Sequence, residues 1–156
     1  MMDIRLICVG RLKENHWSGA QKEYLKRLRP YLRLKVEEVE AEPISRTVPP
    51  EESKRRESER LSDRLTDDEL IVVLDRRGDR LPSGDFARFL RQEGEPGRRL
   101  TFVVGGTTGL SDELLARSQK KISLSEMTFP HELARVILLE QLYRAMTILT
   151  GKRYHY

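Results

Sequence analysis

The sequence predicts one α/β domain, a mainly parallel sheet of five to six strands with helices on both faces. Three observations predict it. Apolar runs of strand length alternate with segments of helical length, and that alternation favours parallel strands joined by helical crossovers. The 156 residues match one ordinary domain, long enough to bury about two thirds of the surface the unfolded chain exposes. No internal repeat, low-complexity tract or long linker divides the chain, so residues 1–156 read as a single unit.

Taken in order, the first strand is Ile4 to Val9, and the lone cysteine, Cys8, sits inside it as a small core residue. With no second cysteine there is no disulfide within the chain, which fits a reducing cytoplasm. A helix follows from Asn15 to Arg29, with Trp17, Ala20, Tyr24 and Leu28 on one face, and Pro30 ends it. Leu32 to Val39 is the second strand. Glu51 to Leu65 is almost wholly charged, and pairs such as Glu51 with Arg55 and Glu52 with Arg56 support an exposed helix. Its Arg56, Arg60 and Arg64 share a face, read as solvated in preference to phosphate-binding.

Leu70 to Leu74 forms the third strand and breaks into the polar turn Asp75-Arg76-Arg77-Gly78. A short helix from Asp85 to Gln92 is stopped by Gly94, Pro96 and Gly97. Leu100 to Val104 and Ile122 to Leu124 complete the strands. The last helix runs from Pro130, placed at its first helical position with Thr128 or a neighbour as cap, to about Leu149. Leu138, Leu142, Ala145 and Leu149 make its apolar stripe, widened by Ile137, Met146 and Ile148, which suits a core helix or a subunit interface. Gly151 then breaks it.

The formal charge of +4 arises from 29 basic and 25 acidic residues, interleaved rather than segregated. Nucleic acid is a permitted partner, but the single-sign stripe of a DNA-coating protein is missing, so DNA is not expected. No apolar stretch approaches the ~20 residues that span a bilayer, and the first strand lacks the flanks of a secretory signal, so no membrane partner is expected.

Chemistry is expected where strands end, because ligands of parallel α/β sheets bind at the carboxyl ends of strands. Thr101 to Val104 runs into Gly105-Gly106-Thr107-Thr108-Gly109-Leu110-Ser111. Glycines there admit a ligand close to backbone N–H groups, though a plain tight turn explains them equally well. The spacing matches neither the dinucleotide fingerprint nor a phosphate loop. Leu74 with the turn after it, and Leu124-Ser125-Glu126-Met127-Thr128-Phe129, are two further ends that can converge on the same pocket. Met127 and Phe129 beside small hydroxyls would suit a flat heterocycle, or simply pack beneath the loop.

Phe102-Val103-Val104-Gly105-Gly106, Gly109-Leu110-Ser111, Leu124 to His131, Arg135-Val136, Leu139 to Ala145 and Tyr154-His155 together resemble the RlmH family, ribosomal RNA methyltransferases of the knotted SPOUT superfamily. Ile4 to Gly10, Tyr24, Leu74-Asp75 and Gly78 extend the similarity over the whole length. The resemblance implies a C-terminal trefoil knot, a homodimer, and S-adenosyl-L-methionine as methyl donor, held by Leu74, Gly105, Leu124, Ser125, Glu126, Met127, Thr128 and Phe129. It also implies methylation of N3 of pseudouridine 1915 in 23S ribosomal RNA, and favours the assembled ribosome as substrate.

Methyl transfer from a sulfonium is an in-line displacement, governed by positioning and needing no metal. The acceptor imide nitrogen must lose its proton. His155 is the natural candidate for that role, beside Tyr154 on a tail able to reach across a dimer, and positioning RNA is its alternative. Arg144 is the third candidate catalytic residue. Arg135 and Arg144 could each serve the methionine carboxylate, an RNA phosphate or a partner's acid. His131, at the start of the last helix, reads as structural. A rival reading is a non-enzymatic RNA- or ribosome-binding module using Arg56, Arg60, Arg64, Lys120 and Lys121. A third keeps the knotted methyltransferase and changes the acceptor.

Overall fold

The computed structural model describes residues 1–94 and 97–154. Its elements follow in the order β1 (Met2–Val9), α1 (Asn15–Leu28), β2 (Leu32–Val39), α2 (Pro50–Asp63), β3 (Leu70–Arg80), α3 (Ser83–Gly94), β4 (Leu100–Val104), α4 (Asp112–Arg117), β5 (Lys120–Ser123) and α5 (His131–Thr150). The five strands make one sheet in the order β2-β1-β4-β3-β5, and every pairing is parallel.

The pleat divides the core in two, because successive side chains of a strand point to opposite faces. Ile4, Leu6 and Cys8 of β1 join Leu100, Phe102 and Val104 of β4 against Leu28 of α1, Phe86 and Leu90 of α3, and Leu138, Leu142 and Ala145 of α5. Ile7 and Val9 face the other way with Ile71, Val73 and Val103, against Leu61 of α2 and Leu114 and Leu115 of α4. Helices α1, α3 and α5 therefore cover one face, and α2 and α4 the other.

Several elements differ from the sequence expectation. Strand β3 does not stop at Leu74: it continues to Arg80, and its register on β5 shifts so that Leu74 and Asp79 both pair with Ile122. The polar turn is thus a bulge inside a strand. A Cβ at Gly78 would lie 2.6 Å from the Lys121 carbonyl carbon and 2.8 Å from the Ile122 nitrogen, so the bulge passes β5 where only glycine fits. Helix α4 was not foreseen. Its six residues are too few to show a periodicity, yet Ser111 caps it by accepting the Leu114 N–H at 3.3 Å.

Helix α2 is not wholly exposed, since Glu57, Ser58 and Leu61 are buried. Pro130 is the extended N-cap of α5 rather than its first helical residue. Along α5, Leu139 is buried with Leu138, Leu142, Ala145 and Met146, whereas Ile137, Ile148 and Leu149 are half-buried. Gly151 ends the helix in the left-handed conformation, with φ of 72°. Pro96, expected among the residues that stop α3, lies outside the described residues.

Candidate active site

The bulge of β3 and the carboxyl ends of β4 and β5 open on a cleft of about 630 Å³, within the range of small-molecule sites. Its walls are Leu74, Asp75 and Arg76 from β3, Val104 and the loop Gly105 to Leu110 after β4, Leu124, Ser125 and Met127 to Pro130 after β5, and His131 and Ala134 from the first turn of α5. The three segments do converge, although the first is a bulge inside β3 and not a strand end. Of the residues expected to hold a cofactor, Leu74, Gly105, Leu124, Ser125, Met127, Thr128 and Phe129 border the cleft. Glu126 does not. It points to solvent and pairs with Arg80 at 3.2 Å.

Local hydrogen bonds shape each wall. Ser123 donates its hydroxyl to the Ser125 carbonyl at 3.0 Å, and the Ser125 hydroxyl accepts the Met127 N–H at 3.0 Å, so 123–127 folds on itself. Met127 is left 75% exposed at the rim, a largely uncovered apolar side chain. Arg76 reaches across the mouth and donates to the Thr128 hydroxyl at 3.4 Å. In the glycine loop, the Gly109 N–H bonds to the Gly106 carbonyl at 3.1 Å and Gly109 has φ of 83°, which disfavours any side chain. A Cβ at Gly105 would meet Leu110 Cδ2 at 2.9 Å.

The first turn of α5 is held by Arg135, which is 1% exposed. Its guanidinium donates to Glu38 Oε2 at 2.6 Å and to the Gly10 carbonyl at 2.7 Å, so it joins α5 to the ends of β1 and β2. Its partners are therefore within the chain. Cys8 lies in the same core region, and burial raises its thiol to about 12, partly opposed by the Arg135 charge. That thiol is inert at neutral pH.

Arg144 and Tyr154 form a second cluster, at the far end of α5. Glu140 accepts from Arg144 Nε at 3.0 Å and Nη2 at 2.6 Å, and from the Tyr154 hydroxyl at 3.2 Å. The Arg144 guanidinium stacks over the Tyr154 ring at 4.8 Å, and that ring also meets Tyr143 edge-on at 4.8 Å. Burial, followed by hydrogen bonding with Tyr24 and the Glu140 charge, raises the Tyr154 phenol to about 12. It is a proton donor at neutral pH. Bonding to Glu140 raises the Arg144 guanidinium further above its ordinary value, so it stays charged. Glu140 organises this cluster, and the sequence reading gave it no role. His155 lies outside the described residues.

Arg144 is ten residues beyond Ala134 on one continuous helix, which separates cluster and cleft by roughly 15 Å along its axis. The structure does not bring the two together within one chain. On α2, Arg56 and Arg60 bond Glu42, and Arg56 also bonds Glu52, which favours the solvated reading of that face. Lys120 pairs with Asp79 at 2.8 Å.

Residues 2–155 match the family described as "Predicted SPOUT methyltransferase". The chain belongs to the SPOUT methyltransferase family. Relatives named "Ribosomal RNA large subunit methyltransferase H" share 42% identity in Carboxydothermus hydrogenoformans, 43% in Acetivibrio thermocellus and 39% in Enterococcus faecalis, each with 99% of both chains covered. SPOUT membership bears on the strand-end cleft, because it places a methyltransferase family on a sheet with an opening where parallel sheets bind ligands. No helix of this SPOUT chain is long and apolar enough to cross a membrane, among the described residues.

Proposed function

We propose that the protein transfers a methyl group from S-adenosyl-L-methionine to N3 of pseudouridine 1915 in 23S ribosomal RNA, on the assembled ribosome in the cytoplasm. The observation that carries this reading is the strand-end cleft in a SPOUT chain whose relatives bear a ribosomal RNA methyltransferase name. The wall chemistry suits the donor. Leu74, Leu110, Leu124 and Phe129 offer apolar contact to an adenine ring, and Gly105, Gly106 and Gly109 leave backbone exposed to polar groups. When bound, S-adenosylmethionine supplies an electrophilic methyl group on a cationic sulfur.

The chain's own residues then position and deprotonate. The apolar walls exclude water around the reacting atoms. Arg144, locked by Glu140, offers a fixed cation to an RNA phosphate or an imide oxygen, and the protonated Tyr154 hydroxyl stands beside it. His155, next in sequence, takes the proton from N3 of the acceptor.

Cleft and cluster are about 15 Å apart in one chain, so the reading requires a homodimer in which one subunit's tail meets its partner's cleft. The half-buried Val136, Ile137, Ile148 and Leu149 of α5 supply apolar surface for such a contact. A single domain with a C-terminal trefoil knot, the fold of SPOUT proteins, completes the proposal.

The test is transfer of labelled methyl from adenosylmethionine to ribosomes lacking the modification, followed by mass mapping. Label on the pseudouridine N3 supports the whole reading. Saturable cofactor binding without that label retains the cleft and dismisses the acceptor, and no binding dismisses the enzyme.

A further inference from the structure

Helix α2 lies on the opposite side of the glycine loop from the cleft, and one of its carboxylates is inside the protein. Glu57 is 5% exposed. Its Oε2 accepts the Glu42 N–H at 2.9 Å, just past the end of β2, and its Oε1 accepts the Thr108 hydroxyl at 3.3 Å. A Cβ at Gly106 would stand 3.0 Å from Oε1, so the loop backbone rests directly on the carboxylate. One residue on, the Ser58 hydroxyl accepts the Ser111 N–H at 2.9 Å. The two side chains hold Gly106 to Ser111 at both ends, and Gly106 to Leu110 form a wall of the cleft.

A carboxylate is a costly choice for mere packing, because burying one is unfavourable unless hydrogen bonds replace its water. At this position an alanine or leucine would fill space, but neither would fix a loop. We infer that Glu57 is a positioning residue of the methyl-donor site: it sets the glycine loop from behind, through Thr108 and Gly106, in the conformation that receives the donor. This rests on the proposed reading of the cleft. It adds a determinant that touches neither donor nor acceptor. By joining the segment after β2 to the loop after β4, across the end of β1, Glu57 also makes the cleft wall depend on α2, an element remote in sequence.

The experiment compares the full-length protein with Glu57→Gln, Thr108→Val, Thr108→Ser and, as a control on the exposed side of α2, Glu59→Gln. Hydrogen exchange at the Gly109 amide reads the loop without any ligand, and calorimetry with S-adenosylmethionine reads the site. Glu57→Gln and Thr108→Val should each speed that exchange and weaken cofactor binding by about tenfold, the scale of one hydrogen bond to a charged group. Thr108→Ser, which keeps the hydroxyl, should retain the slow exchange, and Glu59→Gln should match the parent in both readings. In turnover, the loss should fall on KM for the donor and spare kcat. If Glu57→Gln fails to fold, Thr108→Val decides alone. Unchanged exchange in the folded variants, or faster exchange with unchanged cofactor affinity, overturns the inference. Absence of cofactor binding in the parent protein overturns the reading of the cleft instead, and the exchange data still show whether Glu57 sets the loop.

Discussion

Single side chains decide more here than composition suggests. Gly78 has backbone of β5 where a Cβ would go. Gly78→Ala should therefore cost about 3 kcal/mol as forced overpacking, read as a lower denaturant midpoint with an unchanged slope. Cys8, raised to about 12 by burial, should react with thiol reagents at pH 8 only once the protein is unfolded, and labelling in native buffer would contradict its placement. Its burial was legible, since a lone cysteine amid Ile4, Leu6, Ile7 and Val9 has few other places to go. Glu57 was not. Its neighbours Arg55, Arg56, Glu59 and Arg60 are charged, and nothing local distinguishes the one carboxylate that turns inward. Arg135 was likewise ambiguous, because its partners Gly10 and Glu38 are about a hundred residues away in sequence.

At the scale of elements, the strands and long helices were legible because apolar runs and helical spacing are local properties. The continuation of β3 through Asp75 to Arg80 was not, since polar residues with a glycine read as a turn until β5 lies alongside to pair with them. The same holds for the site: its three segments could be named, but their convergence depends on the order β4-β3-β5. Arg135 locks the first turn of α5 to two strands, so Arg135→Ala should leave Glu38 without its guanidinium and destabilise the protein by about 3 kcal/mol, measured by urea unfolding. At the other end of the sheet, Arg5 of β1 bonds Glu69 at 2.6 Å, ahead of β3, and Glu37 of β2 at 2.8 Å. Burial pushes the Glu69 carboxyl up, but bonds from the Thr66 N–H and Arg5 outweigh it and hold it below the ordinary 4.5. Such a group favours the folded state above pH 4.5 and loses that contribution as pH falls through its lowered value. The urea midpoint should thus drop below pH 4.5, and less steeply in Glu69→Gln.

For the whole molecule, the separation of cleft and tail along α5 sets a definite expectation. Gly105→Val should close the cleft and Arg144→Ala should empty the cluster, so each homodimer should be inactive. A mixed dimer of the two variants has one site with both defects and one with neither, and should recover about half the parent turnover, given two equivalent sites. Mixed dimers without activity would place both groups in the same subunit's site. For the proposed base, His155→Ala should remove turnover near neutral pH, and an unchanged pH–rate profile would dismiss it.

The strand order has a consequence for how the chain is made. Strand β1 is the first to be synthesised and among the most enclosed, yet its pairing of Ile4 with Leu100 must wait for a partner 96 residues later. At ordinary translation speeds that interval is on the order of 5–20 s. Throughout it, Ile4, Leu6 and Ile7 lack one of their two neighbouring strands. This polypeptide should therefore engage nascent-chain chaperones until β4 emerges, and fold slowly for its size because its central pairing is non-local.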